Sequence, residues 1–295
     1  MDSDIDRPSC RFCHERRVTG WGRRYNLSSI KQRWYCKRCG RTFTHDGGFL
    51  WRHHTGMVIA ESLSLHLRGC SESDVVDHMW QAHGILLNGG TIHRWIQDYS
   101  THLHGFLSLF KPKLRGSIHA DEVILKVKGG MSYNWGAIDR RTRYKISGPL
   151  TLTRSYRFGA KPLYERLRDE CIGLPPRIVT DKLGHYRRAF NKYFYHTSVK
   201  MVHGVPIACR RYGLKHNNNP IERENQRIKA RTKTMRGFRS QISCRRFLYM
   251  LDTMHNFIKP SMALKGRYPA EEAGIKLPLH RNRILSLIQI SATAF

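Results

Sequence analysis

Ser117-Ile-His-Ala-Asp-Glu-Val-Ile-Leu-Lys-Val127 decides the fold. Apolar residues fall on both alternating sets of positions, so the stretch is expected to be a central β-strand covered on both faces, with Asp121 set inside it. An ionised carboxylate there needs a partner. Burying it unpaired is costly, and a divalent cation reverses the penalty. The alternative is that Asp121 or Glu122 lies at a frayed edge or pairs with one of the many Lys and Arg side chains. Met131 to Ile138 and Tyr144 to Leu152 continue as strands, with Gly129-Gly130 as the first turn. Ala160 to Cys171 has helical character, Pro175-Pro176 stops the chain, and Arg177 to Thr180 is a short apolar strand ending at Asp181. His185 to Tyr195 is a further helix, whereas Val199 to Val205 carries no decisive pattern. Strands first, then helix alternating with strand, predict an α/β domain: a mixed sheet flanked by helices.

Two more acids sit where such a sheet collects functional groups. Asp181 follows a strand's end, the carboxyl edge at which open α/β sheets bind ligands, although it is also placed to cap the next helix. Asn217-Asn218-Asn219-Pro220 launches a long basic helix. Asn219 as N-cap, Pro220 in the first helical position and Glu222 three residues after the cap form a capping-box pattern, which holds Glu222 rigidly and leaves it able to act as a ligand. Lys229, seven residues on, shares the face of Glu222, and Arg223, Arg227, Arg231 and Lys233 add positive charge suited to tracking a phosphate backbone. Ser243 to Ile258 is a last core helix. Pro punctuates the remainder, which ends in a short apolar helix, Ile284 to Ile290.

Ahead of the sheet, Cys10-Arg-Phe-Cys13 and Cys36-Lys-Arg-Cys39-Gly40 form two CxxC pairs. Two residues between cysteines let successive thiolates turn onto one tetrahedral ion, and Gly40 permits the tight knuckle. A four-thiolate structural zinc ribbon is expected, in preference to a redox dithiol or disulfides. His14 and His45 are then surface residues, because four thiols complete the shell. Three helical stretches follow: Met57 to Leu67, Ser71 to His83, and Gly90 to Leu103. Arg68-Gly69 breaks the first, Ser71 with Asp74 makes an N-terminal cap for the second, and Gly84 with Asn88-Gly89-Gly90 marks the next break. Ile92, Trp95, Ile96 and Tyr99 recur at helical spacing in the third, leaving Thr91, His93, Arg94 and Gln97 outward. This is either a helix-turn-helix, with that outer face entering a major groove, or an ordinary three-helix packing unit.

Composition tilts the choice. Lys+Arg 52 against Asp+Glu 22 leaves a formal net charge of +30 on 295 residues, which calls for a polyanionic partner. Nucleic acid is favoured, since each phosphate neutralised releases counterions. An anionic membrane is the other class, but no apolar stretch approaches the roughly 18 residues needed to span one, and no N-terminal signal pattern is present. At 40% hydrophobic residues the chain can bury a core. The four cysteines outside the CxxC pairs are scattered singly, which fits a reducing, intracellular compartment with one thiolate metal site.

Taken in order, Asp121-Glu-Val-Ile-Leu-Lys-Val-Lys-Gly129, Thr180-Asp181-Lys182, Asn218-Asn-Pro-Ile-Glu222 with Lys229, and Arg236-Gly237-Phe238 resemble the DDE transposases of bacterial and archaeal insertion sequences, nearest the insertion sequence six type. The match spans Ser117 to Ile258, and the upstream helix-turn-helix and the phrase Tyr268-Pro-Ala-Glu-Glu-Ala-Gly-Ile275 are also similar to transposases. The interval from Asp181 to Glu222 exceeds what that type usually carries, which places extra length around Val205 to His216. The resemblance implies an RNase H-like, integrase-like core. Its metal triad would be Asp121, Asp181 and Glu222, and two Mg2+ (or Mn2+) ions about 4 Å apart would serve in-line phosphoryl transfer.

It further implies DNA as partner, both transposon ends and target, a homodimer or larger assembly, and a cytoplasmic, nucleoid-associated protein of a prokaryotic cell. The expected division is 1–50 zinc ribbon, 51–108 helix-turn-helix, 109–262 catalytic domain and 263–295 tail. A DNA-binding regulator with an inactive RNase H-like domain is the competing class, and a nuclease that cuts without joining is a third.

Overall fold

The computed structural model describes residues 7–26, 29–45, 47–49, 52–181, 183–204, 218–235 and 237–293. The loop expected around Val205 to His216, with Cys209, and the residues Lys182, Asn217 and Arg236 lie outside them. The chain gathers into two compact units, 1–95 together with 279–295, and 96–278. The stretch read from sequence as a single tail is therefore shared between them.

The larger unit is built on a five-stranded sheet. β4 (Ile118–Val127), β5 (Gly130–Asp139) and β6 (Lys145–Thr151) form an antiparallel meander, and β7 (Arg177–Thr180) and β8 (Lys200–His203) add in parallel beside β4, giving the order β6-β5-β4-β7-β8. This is the mixed sheet the sequence predicted, and β8 resolves the undecided stretch from Val199. The β4–β5 turn is Lys128-Gly129, with φ of 51° and 77°. Two left-handed residues give a two-residue turn the right-handed twist its strands need. Ile118, Ala120, Trp135, Ala137, Ile146 and Ile178 cover one face of the sheet. They pack against Leu163, Tyr164 and Leu167 of α4 (Lys161–Asp169) and Tyr186, Ala189 and Phe190 of α5 (Gly184–Tyr193).

α6 (Asn219–Thr234) and α7 (Gln241–Thr253) follow, and α7 runs on through a π-helical turn, Met254–Ile258. Asn256 in that turn closes the β6 edge: its side chain accepts from the Lys145 N–H and donates to the Lys145 carbonyl, both at 2.9 Å. An otherwise open edge is satisfied in this way. The entry to α6 differs from the expected capping box. The N-cap is Asn218, not Asn219, and its side chain caps nothing in the helix. The Asn218 amide instead donates to the Ala120 carbonyl on β4 at 3.2 Å. A long-range bond to a buried carbonyl has displaced the local cap, and Glu222 is released from any capping role.

In the smaller unit β1 (Val18–Asn26), β2 (Ser29–Cys36) and β3 (Thr42–Thr44) make an antiparallel sheet beside the four cysteines. α1 (Gly56–Arg68) and α2 (Glu72–His83) lie wholly in this unit, and α3 (Gly89–Leu107) begins in it. The Ser71–Asp74 capping box is formed in both directions, and Gly84 terminates α2 in the left-handed conformation. Such a cap is worth about 1 kcal/mol. In the larger unit the short α8 (Pro269–Glu272) follows α7, and the Ala273 carbonyl just after it accepts from the Lys113 N–H at 2.7 Å. The final helix, α9 (Arg283–Thr293), packs on α1, with Asn282 reaching Met57 and Leu285 lying against Gly56. No helix among the described residues is long and apolar enough to cross a membrane.

One glycine is fixed by the sheet. A π-helical turn, Tyr156–Ala160, leads into α4 against the fully buried Trp135, and a Cβ on Gly159 would fall 2.1 Å from the indole. Trp135 is itself held by its N–H bond to Thr151 at 3.1 Å. Gly159→Ala is expected to cost about 1–3 kcal/mol, the usual range for overpacking, measured by urea denaturation. An unchanged midpoint would show that the turn can move away from the sheet.

Candidate active site

β4 and β7 pair in parallel at Ile118↔Ile178 and His119↔Val179. β7 stops at Thr180, so β4 loses its neighbour on that side just where Asp121 begins the acidic pair. Alternation sends Asp121 and Glu122 to opposite faces. Asp121 faces α6 and accepts from the Asn225 amide at 2.9 Å; Glu122 faces α5 and accepts from the Tyr186 hydroxyl at 2.7 Å. Past the end of β7 the edge is open, and both side chains reach Asp181. Carboxylate oxygens of Asp121, Glu122 and Asp181 lie within 4.8 Å of one another.

Three carboxylates that close repel. Burial pushes the Asp121 carboxyl up from 3.8 to about 7, and the charges on Glu122 and Asp181 push the same way, against the Asn225 bond. Part of the charge is answered from within. The Arg154 guanidinium pairs with Glu122, whose side chain is only 4% exposed, and stands 3.5 Å from Asp181. Asp181 uses its other oxygen to accept from the Leu183 N–H at 3.0 Å, so it steadies the entry to α5 as well. Glu222 is outside the three-acid group. It is exposed, and no ion pair engages it among the described residues. It stands four residues after Asn218 and three before Asn225, so it shares the side of α6 whose two amides fasten the helix to β4.

Residues 115–261 match a family model described as a DDE domain. The transposase for insertion sequence element IS257 in transposon Tn4003 of Staphylococcus aureus is 22% identical over 229 residues, covering 78% of this chain and 98% of the relative. The transposase for insertion sequence-like element IS431mec of S. aureus strain Mu50 matches to the same extent. The chain is a DDE transposase of the insertion sequence six type. Among solved structures, the HTLV-2 integrase catalytic core domain in complex with magnesium is similar at a TM-score of 0.37 and 13% identity, over 55% of this chain and 98% of that one. The simian T-cell lymphotropic virus intasome in complex with PP2A regulatory subunit B56 gamma is similar at 0.40 and 11%, over 75% and 76%.

The residues expected on the DNA-facing helices of the transposase divide into two sets. On α6, Arg223 and Lys229 are exposed. Arg227 is instead tied to the buried Glu224 at 2.8 Å, and Arg231 lies over the Phe247 ring at 5.9 Å. Burial raises the Glu224 carboxyl, but His255 and then Lys145 and Arg227 outweigh it and hold the group well below the usual range. On α3, Ile92, Trp95, Ile96 and Tyr99 are buried as expected. His93 and Arg94 are exposed, with His93 bonded to Glu72 at 3.0 Å and Arg94 to Thr91 at 3.2 Å. Gln97 is half-buried and meets Arg246 of α7 at 3.4 Å, because the second half of this long helix belongs to the catalytic unit.

The four cysteines converge as the spacing predicted. Cys10 and Cys39 sulfurs are 3.6 Å apart, Cys13 and Cys36 3.5 Å. Backbone N–H groups of Cys39 and then Arg38 hold the Cys36 thiol down to about 7, while its partner Cys13, against a backbone bond from Glu15, is pushed up by burial and by the neighbouring thiols.

The sequence did not place Glu122 and Arg154 in the acid site: it offers Glu122 only as a frayed-edge or ion-paired residue, and the pairing with Arg154 meets that alternative. The signal for Glu122 was its adjacency to Asp121 at an exposed strand edge; Arg154, in a loop after β6, carried none. Folding lifts the Asp121 carboxyl, so between about pH 4 and 7 the native chain holds a proton the unfolded chain has lost, and its contribution to stability falls as pH rises through that window. In magnesium-free buffer Asp121→Asn should melt a few degrees above the wild type at pH 8, with the gap closing towards pH 4; coincident midpoints at pH 8 would refute the strain. Arg154→Gln should melt lower without magnesium and show a larger thermal shift when magnesium is added. An unchanged shift would mean Arg154 does not balance the acids.

Proposed function

We propose that the transposase binds the ends of its own element, hydrolyses a phosphodiester to free a 3′ hydroxyl, and directs that hydroxyl onto target DNA. The observation that carries this is the crowding of Asp121, Glu122 and Asp181 at the open end of β7, with Asp121 lifted to about 7 by burial and by the charges on Glu122 and Asp181. The site fits a divalent cation, since its donors are hard carboxylate oxygens and their mutual repulsion is what a cation relieves. Asp121, Asp181 and Glu222 would be the ligands for two magnesium or manganese ions. Bound there, the ions would activate the attacking oxygen and stabilise the leaving oxygen of an in-line displacement.

The chain's own residues do the positioning. Asn218 and Asn225 fasten α6 to β4, and Glu222, on the same side of that helix, keeps an uncommitted carboxylate that would complete the ligand set. Arg154 and Tyr186 engage Glu122 and keep its charge from competing with the triad. Arg223 and Lys229 offer cations to the phosphate backbone, with Arg227 and Arg231 behind them, and these contacts bind without regard to sequence. The terminal repeats are read by Thr91, His93 and Arg94 of α3, in the unit whose ribbon cysteines Cys10, Cys13, Cys36 and Cys39 would hold one structural zinc. Two ends are processed together, so the working form is a homodimer or larger, acting at the nucleoid in the cytoplasm of a prokaryotic cell.

Strand transfer of an end-sequence oligonucleotide into a supercoiled plasmid tests the reading. Asp121→Asn, Asp181→Asn and Glu222→Gln should abolish joined products while DNA binding stays near wild type, and Glu122→Gln should lower the rate without abolishing it. Joining by Asp121→Asn in magnesium would overturn the assignment, and cleavage without joining by the wild type would make the protein a nuclease.

A further inference from the structure

Among the described residues, one cluster of metal-ligating side chains belongs neither to the acid site nor to the ribbon: Glu61 of α1 with His78 and His83 of α2. Both imidazoles aim Nε2 at the same carboxylate oxygen, Glu61 Oε1, from 3.2 Å and 2.9 Å. The two rings stand edge to face with centroids 5.9 Å apart, as imidazoles do when they converge on one point from different directions. The three groups are partly open to water, with side chains 33% exposed for Glu61, 44% for His78 and 39% for His83.

We infer that Glu61, His78 and His83 form a second transition-metal site, for a zinc-class divalent cation, with a fourth position left to water. The spacing supports this. A tetrahedral ion with bonds of about 2.0–2.1 Å to nitrogen and oxygen holds its ligand atoms roughly 3.3 Å apart, and one with thiolate bonds of about 2.3 Å holds sulfurs roughly 3.8 Å apart. The ribbon's sulfurs, at 3.5 and 3.6 Å, fall short of their ideal by a few tenths of an ångström, and the Glu61–histidine distances fall short of theirs by about as much. Both groups thus stand close to the ligand-atom spacing of a tetrahedral ion, at lengths that for Glu61 and the histidines are also those of ordinary hydrogen bonds. His78 and His83, four residues between them, lie within the interval common for paired zinc histidines. Two imidazoles and one carboxylate select zinc, cobalt or nickel over magnesium, which prefers all-oxygen shells, so this site and the acid site take different ions.

The ion would act on the fold of the smaller unit, with no part in phosphoryl transfer. Glu61 lies on α1 and both histidines on α2, so the metal staples the first two helices together, while His93–Glu72 ties α2 to α3. Nothing in the inference depends on the proposed reaction.

Cobalt titration of untagged protein tests it. The Asp121→Asn chain, with one ribbon zinc per molecule by elemental analysis, removes competition from the catalytic acids. One further equivalent of cobalt should bind at micromolar concentration, with visible d–d bands but no sulfur-to-metal charge-transfer band, and should raise the melting temperature. Loss of an outer-shell partner typically costs 10–100-fold in metal affinity, so removing a direct ligand in His78→Ala or His83→Ala should cost at least about tenfold. Glu61→Gln keeps an acceptor for both imidazoles and so retains the helix contact, yet should weaken cobalt binding as well. Absence of a further equivalent would overturn the site, as would binding unchanged in Glu61→Gln and the His78→Ala/His83→Ala double variant.

Discussion

Mutual repulsion among carboxylates at one edge of the sheet is the constraint around which the catalytic unit is arranged. β7 ends one residue short of Asp181 while β4 continues through Asp121 and Glu122, so three acids share a gap that no strand fills. Each neighbouring element answers that charge differently. α6 brings an amide to Asp121, α5 a hydroxyl to Glu122, and the loop after β6 an arginine to Glu122 and Asp181. These contacts blunt the repulsion without cancelling it, as the raised Asp121 carboxyl shows. A site left short of positive charge is predisposed to take it from a cation.

The same economy explains how α6 is seated. A helix carrying Arg223, Arg227, Lys229, Arg231 and Lys233 has little apolar surface of its own with which to dock. It is held by Ile221 and Ile228 in the core, by the Asn218 and Asn225 amides on β4, and by the buried Glu224 reaching His255. Polar bonds to the central strand fix where the helix lies more narrowly than apolar contact would, because each demands a particular partner atom. That precision fixes which side of α6 meets β4, the side on which Glu222 lies.

Much of the fold was legible beforehand. The central strand, the hairpin to β5, the short strand before Asp181, the ribbon cysteines and the three helices of the smaller unit all announced themselves through period and punctuation. β8 was missed because Lys200-Met-Val-His203 is a short edge strand, half-exposed, with no alternation strong enough to show. The cap of α6 was misplaced by one residue, since three consecutive asparagines offer equivalent local caps and only the Ala120 carbonyl selects Asn218. Among the residues expected to face DNA, local pattern counted Arg227, Arg231 and Gln97, yet the first two serve Glu224 and Phe247 and the third meets Arg246.

Sequence by itself determined most of the elements, the convergence of the four cysteines and the family resemblance, because these rest on local pattern: two residues between thiols, alternation in a strand, an Asn-Pro entry to a helix. Which acids gather was decided only in three dimensions. Glu122 joins Asp121 and Asp181 because β7 stops where it does, and Arg154 arrives from a loop 32 positions further along the chain than Glu122. Charges separated that far in sequence interact only once the sheet has closed the distance, and Coulomb energy depends on that distance and on the surrounding medium, not on chain order.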